Sequence, residues 1–270
     1  MTLSSCNAHK FWRDPALPFL EARAIDDGRA VCYATHSHET FSIGLVTGGK
    51  SEYCIQGQRH VVTPGTVVLM NPEVAHSCNP LDGLPWSYKM LFVDVAWLQK
   101  VQGGERFIPY GQPLSRDAAL YARLAELFVL LFDEDVDRGE KERATHAFFL
   151  ALSRQFATQD SDEPSLNMRL NRAADLITAH CTGRLSLKEV SAAAGLSPSY
   201  LVRAFKERFG MTPHAYQLNR RVQYGRRQLR DGSPIVAVAL DAGFADQAHF
   251  QRVFKQHVAT TPRRYIKGSP

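Results

Sequence analysis

A chain of 270 residues, 44% hydrophobic and 22% charged, has room for two domains, and its best apolar run, Phe128–Phe132, is far too short to span a bilayer. The five cysteines (Cys6, Cys32, Cys54, Cys78, Cys181) form no C-x-x-C pair, and the start lacks a secretion-signal layout, so no disulfide framework, thiolate zinc site or membrane partner is expected and the location reads as cytoplasmic. The net charge of +5 is lopsided, +11 over residues 166–270 against −6 over the rest, so a polyanionic partner would be met by the C-terminal third, unless that third is simply a solvated basic face.

To about Phe107 the chain reads as β-structure. Short β-branched and aromatic segments occur at Phe41–Val46, Glu52–Ile55, Arg59–Val62, Thr66–Met70 and Trp86–Val93. Gly48-Gly49, Gln56-Gly57, Pro64-Gly65 and Asn71-Pro72 separate them at intervals that suit a small barrel or sandwich. From Arg116 to Phe156 the period becomes helical, with Leu120, Leu124, Leu127 and Leu131 on one stripe and Phe148, Leu152 and Phe156 on another. The polar stretch Asp133–Glu142 separates the two helices. Thr158–Ser165, acidic and carrying Pro164, is the expected interdomain linker.

The remainder is helical and contains an internal repeat. Ala194-Gly195-Leu196 matches Ala242-Gly243-Phe244, and Arg203-Ala204-Phe205-Lys206 matches Arg252-Val253-Phe254-Lys255. Thr212-Pro213-x-x-Tyr216 matches Thr261-Pro262-x-x-Tyr265. Each copy has helix-turn-helix grammar, over residues 186–208 and 234–257. Ser186-x-x-Glu189 is a capping box, Gly195 ends the first helix, and Ser197-Pro198 opens the second. Ser233-Pro234 is expected to repeat that cap. Ser199, Tyr200, Val202, Arg203 and Lys206 fall outward in the first copy. Gln247, Ala248, His249, Gln251 and Arg252 do so in the second. A Gln amide can pair with adenine and an Arg fork with guanine, although Arg203 and Arg252 could equally clamp phosphate or pair with a neighbouring helix. Arg220, Arg221, Arg226, Arg227 and Arg230 lie on the joining helix and suit phosphate contacts or pairs within the domain.

Positions 169 to 265 resemble the DNA-binding domain of AraC/XylS-type bacterial transcription regulators. The resemblance implies a seven-helix domain with a long helix between two helix-turn-helix units that enter successive major-groove segments. Gly225 departs from the alanine usual there. The N-terminal part is similar to the cupin-like effector domain of that family, through His36-Ser37-His38-Glu39, Gly48, Gly57, Pro64-Gly65 and Asn71-Pro72 leading to His76. The implied fold class is a two-domain α+β chain. A cupin-like β-barrel with a helical dimerisation segment occupies residues 1–157, a linker 158–165, and an all-α DNA-binding domain 166–270.

The implied function is an effector-responsive regulator that is not an enzyme. Its implied partners are double-stranded promoter DNA, a small-molecule effector, RNA polymerase and a second copy of the chain. The leucine stripe is expected to serve that pairing, with a cover for the barrel as the alternative. His36, His38, Tyr53, His76, Trp86 and Tyr88 are candidate pocket residues. No cofactor is expected. His36, His38 and His76 could hold a divalent metal, yet no carboxylate follows at cupin-enzyme spacing, leaving Glu39 or Glu52 as substitutes. The plainer alternative is that these histidines line the pocket or bond within the barrel mouth.

Overall fold

The computed structural model describes residues 9–29, 31–81, 84–157 and 165–267. Two antiparallel sheets form the N-terminal domain. In one, β1 (His9–Arg13), β2 (Leu20–Ile25), β8 (Trp86–Val93), β3 (Phe41–Gly49), β6 (Val67–Met70) and β9 (Leu114–Ser115) lie side by side in that order. The other orders β5 (Gln58–Val62), β4 (Ser51–Ile55) and β7 (His76–Pro80).

The period-2 alternation of the central strands divides their side chains between two cores. Phe41, Ile43, Leu45, Val67, Leu69, Leu91 and Val93 face outward onto helices. Val46, Val68, Met70, Trp86, Tyr88, Met90 and Phe92 face the space between the sheets. Both faces are therefore apolar, and both need a cover. The outer cover is α1 (Val95–Gln102), α2 (Ala118–Phe132) and α3 (Arg138–Phe156). Asp94, Asp117 and Asp137 cap these helices, each accepting from a backbone N–H of its helix's first turn.

This packing decides between the two roles open to the leucine stripe. Leu120, Leu124 and Leu131 have no exposed surface, and Leu127 is 4% exposed. They pack on Ile43, Leu69 and Leu91, so the stripe covers the barrel and is closed to a second copy, contrary to expectation. Strands β1, β2 and β7 carry too many polar residues (Glu21 and Arg23 among them) to announce themselves by pattern.

Seven helices follow among the described residues: α4 (Ser165–Ala179), α5 (Leu187–Ala194), α6 (Pro198–Phe209), α7 (Pro213–Arg230), α8 (Ile235–Asp241), α9 (Gln247–Val258) and α10 (Pro262–Lys267). The expected linker lies outside the described residues, except that Ser165 opens α4. Helix α7 separates two small cores. Leu170, Ile177, Val190, Leu201, Phe205 and Tyr216 make the first. Val222, Leu229, Val238, Phe250, Phe254 and Tyr265 make the second.

The capping box at Ser186 and Glu189 is present, and Gly195 takes the left-handed conformation (φ 61°) that turns the chain from α5 towards α6. Ser197 occupies the N-cap of α6 but makes no side-chain cap bond. The expected Ser233 cap is not formed. Pro234 holds the N-cap of α8, and the Ser233 N–H instead donates to Gln228 O at 3.0 Å to finish α7.

Gly225 has a packing reason. A Cβ there would meet the buried ring of Phe250 at 2.9 Å and Val238 Cγ1 at 3.4 Å. Gly225→Ala would gain about 1 kcal/mol of helix propensity, but overpacking a filled core typically costs about 1–3 kcal/mol. The variant is expected to be less stable by about 1 kcal/mol, read from the urea midpoint; a gain in stability would refute the packing argument.

Candidate DNA interface and effector pocket

Helices α6 and α9 each bury one face and leave the other open. Leu201, Ala204 and Phe205 are buried on α6, while Ser199, Tyr200, Arg203 and Lys206 are exposed and Val202 is half-buried. The Arg203 guanidinium lies over the Tyr200 ring, 5.4 Å from its centroid, which holds both at the open edge. On α9, Phe250, Val253 and Phe254 are buried, Ala248 and Arg252 are exposed, and Gln247, His249 and Gln251 are half-exposed. Asp246 caps α9 by accepting from His249 N at 2.7 Å. The His249 ring rests against Phe244, 5.3 Å between centroids. All ten residues expected to face DNA thus lie on two open helix faces.

The arginines of α7 do something else. Arg220 Nη1 meets Glu73 Oε1 at 2.7 Å, Arg226 Nη2 meets Glu21 Oε1 at 3.6 Å, Arg230 reaches Glu21 at 3.9 Å, and Arg227 pairs with Glu39. Each carboxylate belongs to the barrel domain. Arg221 bonds within its own domain, donating to the carbonyls of Cys181, Gly183 and Gly243. So in part do Arg220, which donates to Thr178 Oγ1 and the Tyr216 hydroxyl, and Arg226, which donates to Gln223 Oε1. Four of the five arginines therefore reach carboxylates of the barrel domain, Arg220 and Arg226 while also pairing within their own domain as expected, and Arg227 and Arg230 with their side chains still partly exposed.

Further contacts fasten the two domains. Ser37, with no exposed surface, is gripped by α7: its carbonyl accepts from Gln223 Nε2 at 2.9 Å and its hydroxyl from Asn219 Nδ2 at 2.9 Å. Ala34 N donates to Gln256 O at 2.9 Å, and Arg23 Nη1 to Val258 O at 2.9 Å. Glu73 adopts a left-handed backbone (φ 66°), a strained conformation for a side-chain-bearing residue, and from there reaches both Arg220 and Ser37.

The two carboxylates respond oppositely to this setting. Burial pushes the Glu21 carboxyl up, but Arg13, Arg226 and Arg230 outweigh it and hold it below the usual range. At Glu73 burial wins over Arg220, assisted by Glu39, and the carboxyl is raised. Glu21 thus stabilises the docked state above the ordinary carboxylate value, and that contribution is lost as pH falls through its lowered folded value. Glu73 has the reverse sign: its contribution is present at low pH and lost as pH rises through its raised value. Across the carboxylate range, about pH 3–6, Glu21→Gln is expected to flatten the acid loss of stability and Glu73→Gln to steepen it. Thermal melts at stepped pH check this, and identical profiles for both variants would contradict it.

Between the sheets lies a cavity with mainly apolar walls, including Val46, Val68, Met70, Trp86, Met90 and Phe92. Polar groups interrupt these walls: Glu21, Arg23, Tyr33, Tyr88 and the histidines His36, His38 and His76. Beside them the wall is completed by Arg226, His257 and Val258 of the C-terminal helical domain, which adjoin Glu21, His36 and Arg23. Five of the six expected pocket residues line it. Tyr53 does not: its ring fills the sheet core and its hydroxyl donates to Leu69 O at 3.2 Å. Arg23, Arg226 and His257 were missed, because no local pattern marks a wall assembled from two domains.

Burial holds His36 and His38 well below the usual histidine range, helped by their charged neighbours, and takes His76 down to about 4. The three are therefore neutral, with lone pairs to offer. Neither expected carboxylate substitute joins them, since Glu39 pairs with Arg220 and Arg227 and Glu52 with Arg59.

Residues 21–152 match the family described as AraC-like ligand binding domain, and residues 190–268 the family described as helix-turn-helix domain. The chain belongs to the AraC family of transcription regulators. As an AraC-family chain it combines a ligand-binding domain with a DNA-binding domain built on two helix-turn-helix units. It is 27% identical over 223 residues to the uncharacterized HTH-type transcriptional regulator YbfI of Bacillus subtilis, covering 80% of this chain and 81% of YbfI. It is 25% identical over 247 residues to the transcriptional activator RhaS of Escherichia coli, covering 87% and 88%. The fold is similar to ToxT of Vibrio cholerae O395, with a TM-score of 0.57 at 12% identity over 93% of this chain and 98% of ToxT. No helix of this AraC-family chain, among the described residues, is long and apolar enough to cross a membrane.

Proposed function

We propose that the cavity between the sheets is the effector site, and that its occupant acts on transcription by changing how α7 and α9 sit on the barrel. One observation carries this reading: the cavity wall is shared, with Arg226, His257 and Val258 contributed by the DNA-binding domain. A ligand touching both domains differs in affinity between the docked and undocked states, which is what coupling requires. The walls suit a small, largely apolar molecule with one polar end directed at Arg23, Arg226 and the histidines. ToxT, which shares the fold, has been solved with an unsaturated fatty acid bound.

The ten outward residues of α6 and α9 supply the DNA contacts in this reading, on promoter DNA. The two sets differ in chemistry, so each monomer reads an asymmetric site. No step of the function needs catalysis by this chain. RNA polymerase is the downstream partner. A homodimer, if the function uses one, pairs through surfaces other than the leucine stripe.

A thermal-shift screen of small apolar acids, alcohols and amides against the full chain tests the pocket. A hit is expected to raise the midpoint, and Met90→Trp, which fills the cavity, to abolish the shift. A hit unaffected by that substitution would place the ligand elsewhere. DNA affinity is expected to fall steeply between about 50 and 200 mM salt, since several phosphates are neutralised; an affinity insensitive to salt would contradict the proposed interface.

A further inference from the structure

Three imidazoles at the barrel mouth face one another. A ligand-capable nitrogen from each of His36, His38 and His76 lies within 4.8 Å of the other two, and all three residues are buried. The backbone fixes this convergence. His36 and His76 exchange N–H to O bonds of 3.0 and 2.8 Å across an isolated antiparallel bridge at the start of β7.

The ring orientations are set as well. His36 Nδ1 lies 2.8 Å from Ala34 O and His76 Nδ1 lies 2.9 Å from Val74 O. A carbonyl only accepts, so each Nδ1 carries the proton and each Nε2 keeps a lone pair. Backbone carbonyls commonly orient metal-binding histidines in this way. His38, 8% exposed, has an Nδ1 with no hydrogen-bond partner among the described residues, a buried polar atom that needs an explanation.

We propose that His36, His38 and His76 form a three-nitrogen site for a divalent transition-metal ion, open on its cavity side, and that occupancy is transmitted to α7 through Ser37. Imidazole suits zinc, copper, nickel and iron rather than magnesium or calcium. Glu21 on the same cavity wall offsets part of the repulsion from Arg23 and Arg226. Metal–nitrogen bonds of about 2.0–2.1 Å place the nitrogens roughly 3.3 Å apart. Binding therefore draws the 36–38 segment towards β7. Ser37 sits between two of the ligands and is held by Asn219 and Gln223, and the next residue after His38, Glu39, is paired with Arg227. A shift of that segment is felt by the helix joining the two DNA-reading units.

The test uses the full chain, stripped by dialysis against a chelator and titrated with Zn²⁺ or Co²⁺ alone. One ion per chain is expected, with a Co²⁺ visible spectrum of nitrogen ligation and slower amide exchange around Asn219 and Gln223. His38→Gln and His76→Gln should each weaken binding by about 100-fold or more, beyond the roughly 10–100-fold typical of losing an outer-shell partner. His146→Gln, at an exposed position, should leave it unchanged. Absence of heat and of cobalt bands in the folded wild-type protein overturns the site, as does binding undiminished in both glutamine variants. Metal binding through these histidines with unchanged exchange in α7 overturns the transmission.

Discussion

Arg226→Met is expected to loosen the two domains by about 3 kcal/mol, the scale on which breaking a buried charged contact destabilises a protein. The guanidinium, 11% exposed, meets Glu21, donates to Gln223 Oε1 at 3.1 Å and lies over the rings of Phe92 and Tyr265. Methionine keeps much of the apolar stem, so the loss isolates the charge. Glu21 retains Arg13 at 2.8 Å but remains buried with less positive charge around it. Hydrogen exchange at Ser37 and Asn219 should accelerate, and calorimetry should separate the two domains into distinct transitions. Glu21→Gln combined with Arg226→Met should recover part of the loss, because the uncompensated carboxylate is gone. A double variant whose effects simply add would show that the two groups do not act as a pair.

The second large effect lies at the DNA surface. Arg252→Ala and Arg203→Ala are each expected to weaken binding to a site selected from a random DNA pool by about 1–3 kcal/mol, or roughly 5- to 150-fold, if the side chain reads a base. A base reader also relaxes preference at one position of the site. A phosphate contact instead lowers affinity for all sequences and reduces the salt slope by about one. Measuring affinity and slope together assigns each arginine to one role. Gln247→Ala should act on preference more than on slope, since the side chain carries no charge. Unchanged affinity in all three variants would remove α6 and α9 from the interface.

The DNA-binding half was readable because its signals are local. Capping boxes, turn glycines and helical spacing act within about ten residues, and the two copies corroborate each other at Phe205 and Phe254, Pro213 and Pro262. Even there the Ser233 cap failed, since α7 had a use for that N–H. The barrel was partly readable: strands with clean alternation, such as Trp86–Val93, were found to the residue, whereas β2 was hidden by Glu21 and Arg23. Those two charges are buried for the sake of the other domain. Their partners are distant in sequence, 235 residues from Arg23 to Val258, and Ser37 to Asn219 spans 182. No window along the chain contains both ends of such a contact. The α7 arginines illustrate the point, because a basic helix between two DNA-reading units suggests phosphate contacts or pairs within the domain, and nothing near it in sequence announces the barrel carboxylates that face it.

Phe11 gives the architecture a consequence for how such chains can be taken apart. It lies on the first strand of the barrel, yet it is 3% exposed and packs with Val222, Val238, Phe254 and Tyr265 in the second helix-turn-helix core. Its ring meets that of Tyr265 edge-on at 5.9 Å, and Arg13 stacks on the same tyrosine. A cut between the two domains leaves the DNA-reading half with an uncovered notch. The same holds for exchange between relatives, since a foreign sensor grafted onto this reader inherits the notch without the ring that fits it. Recombination that respects the modular boundary in sequence would still break the module in space, so a working chimera must carry a matched first strand along with its new sensor.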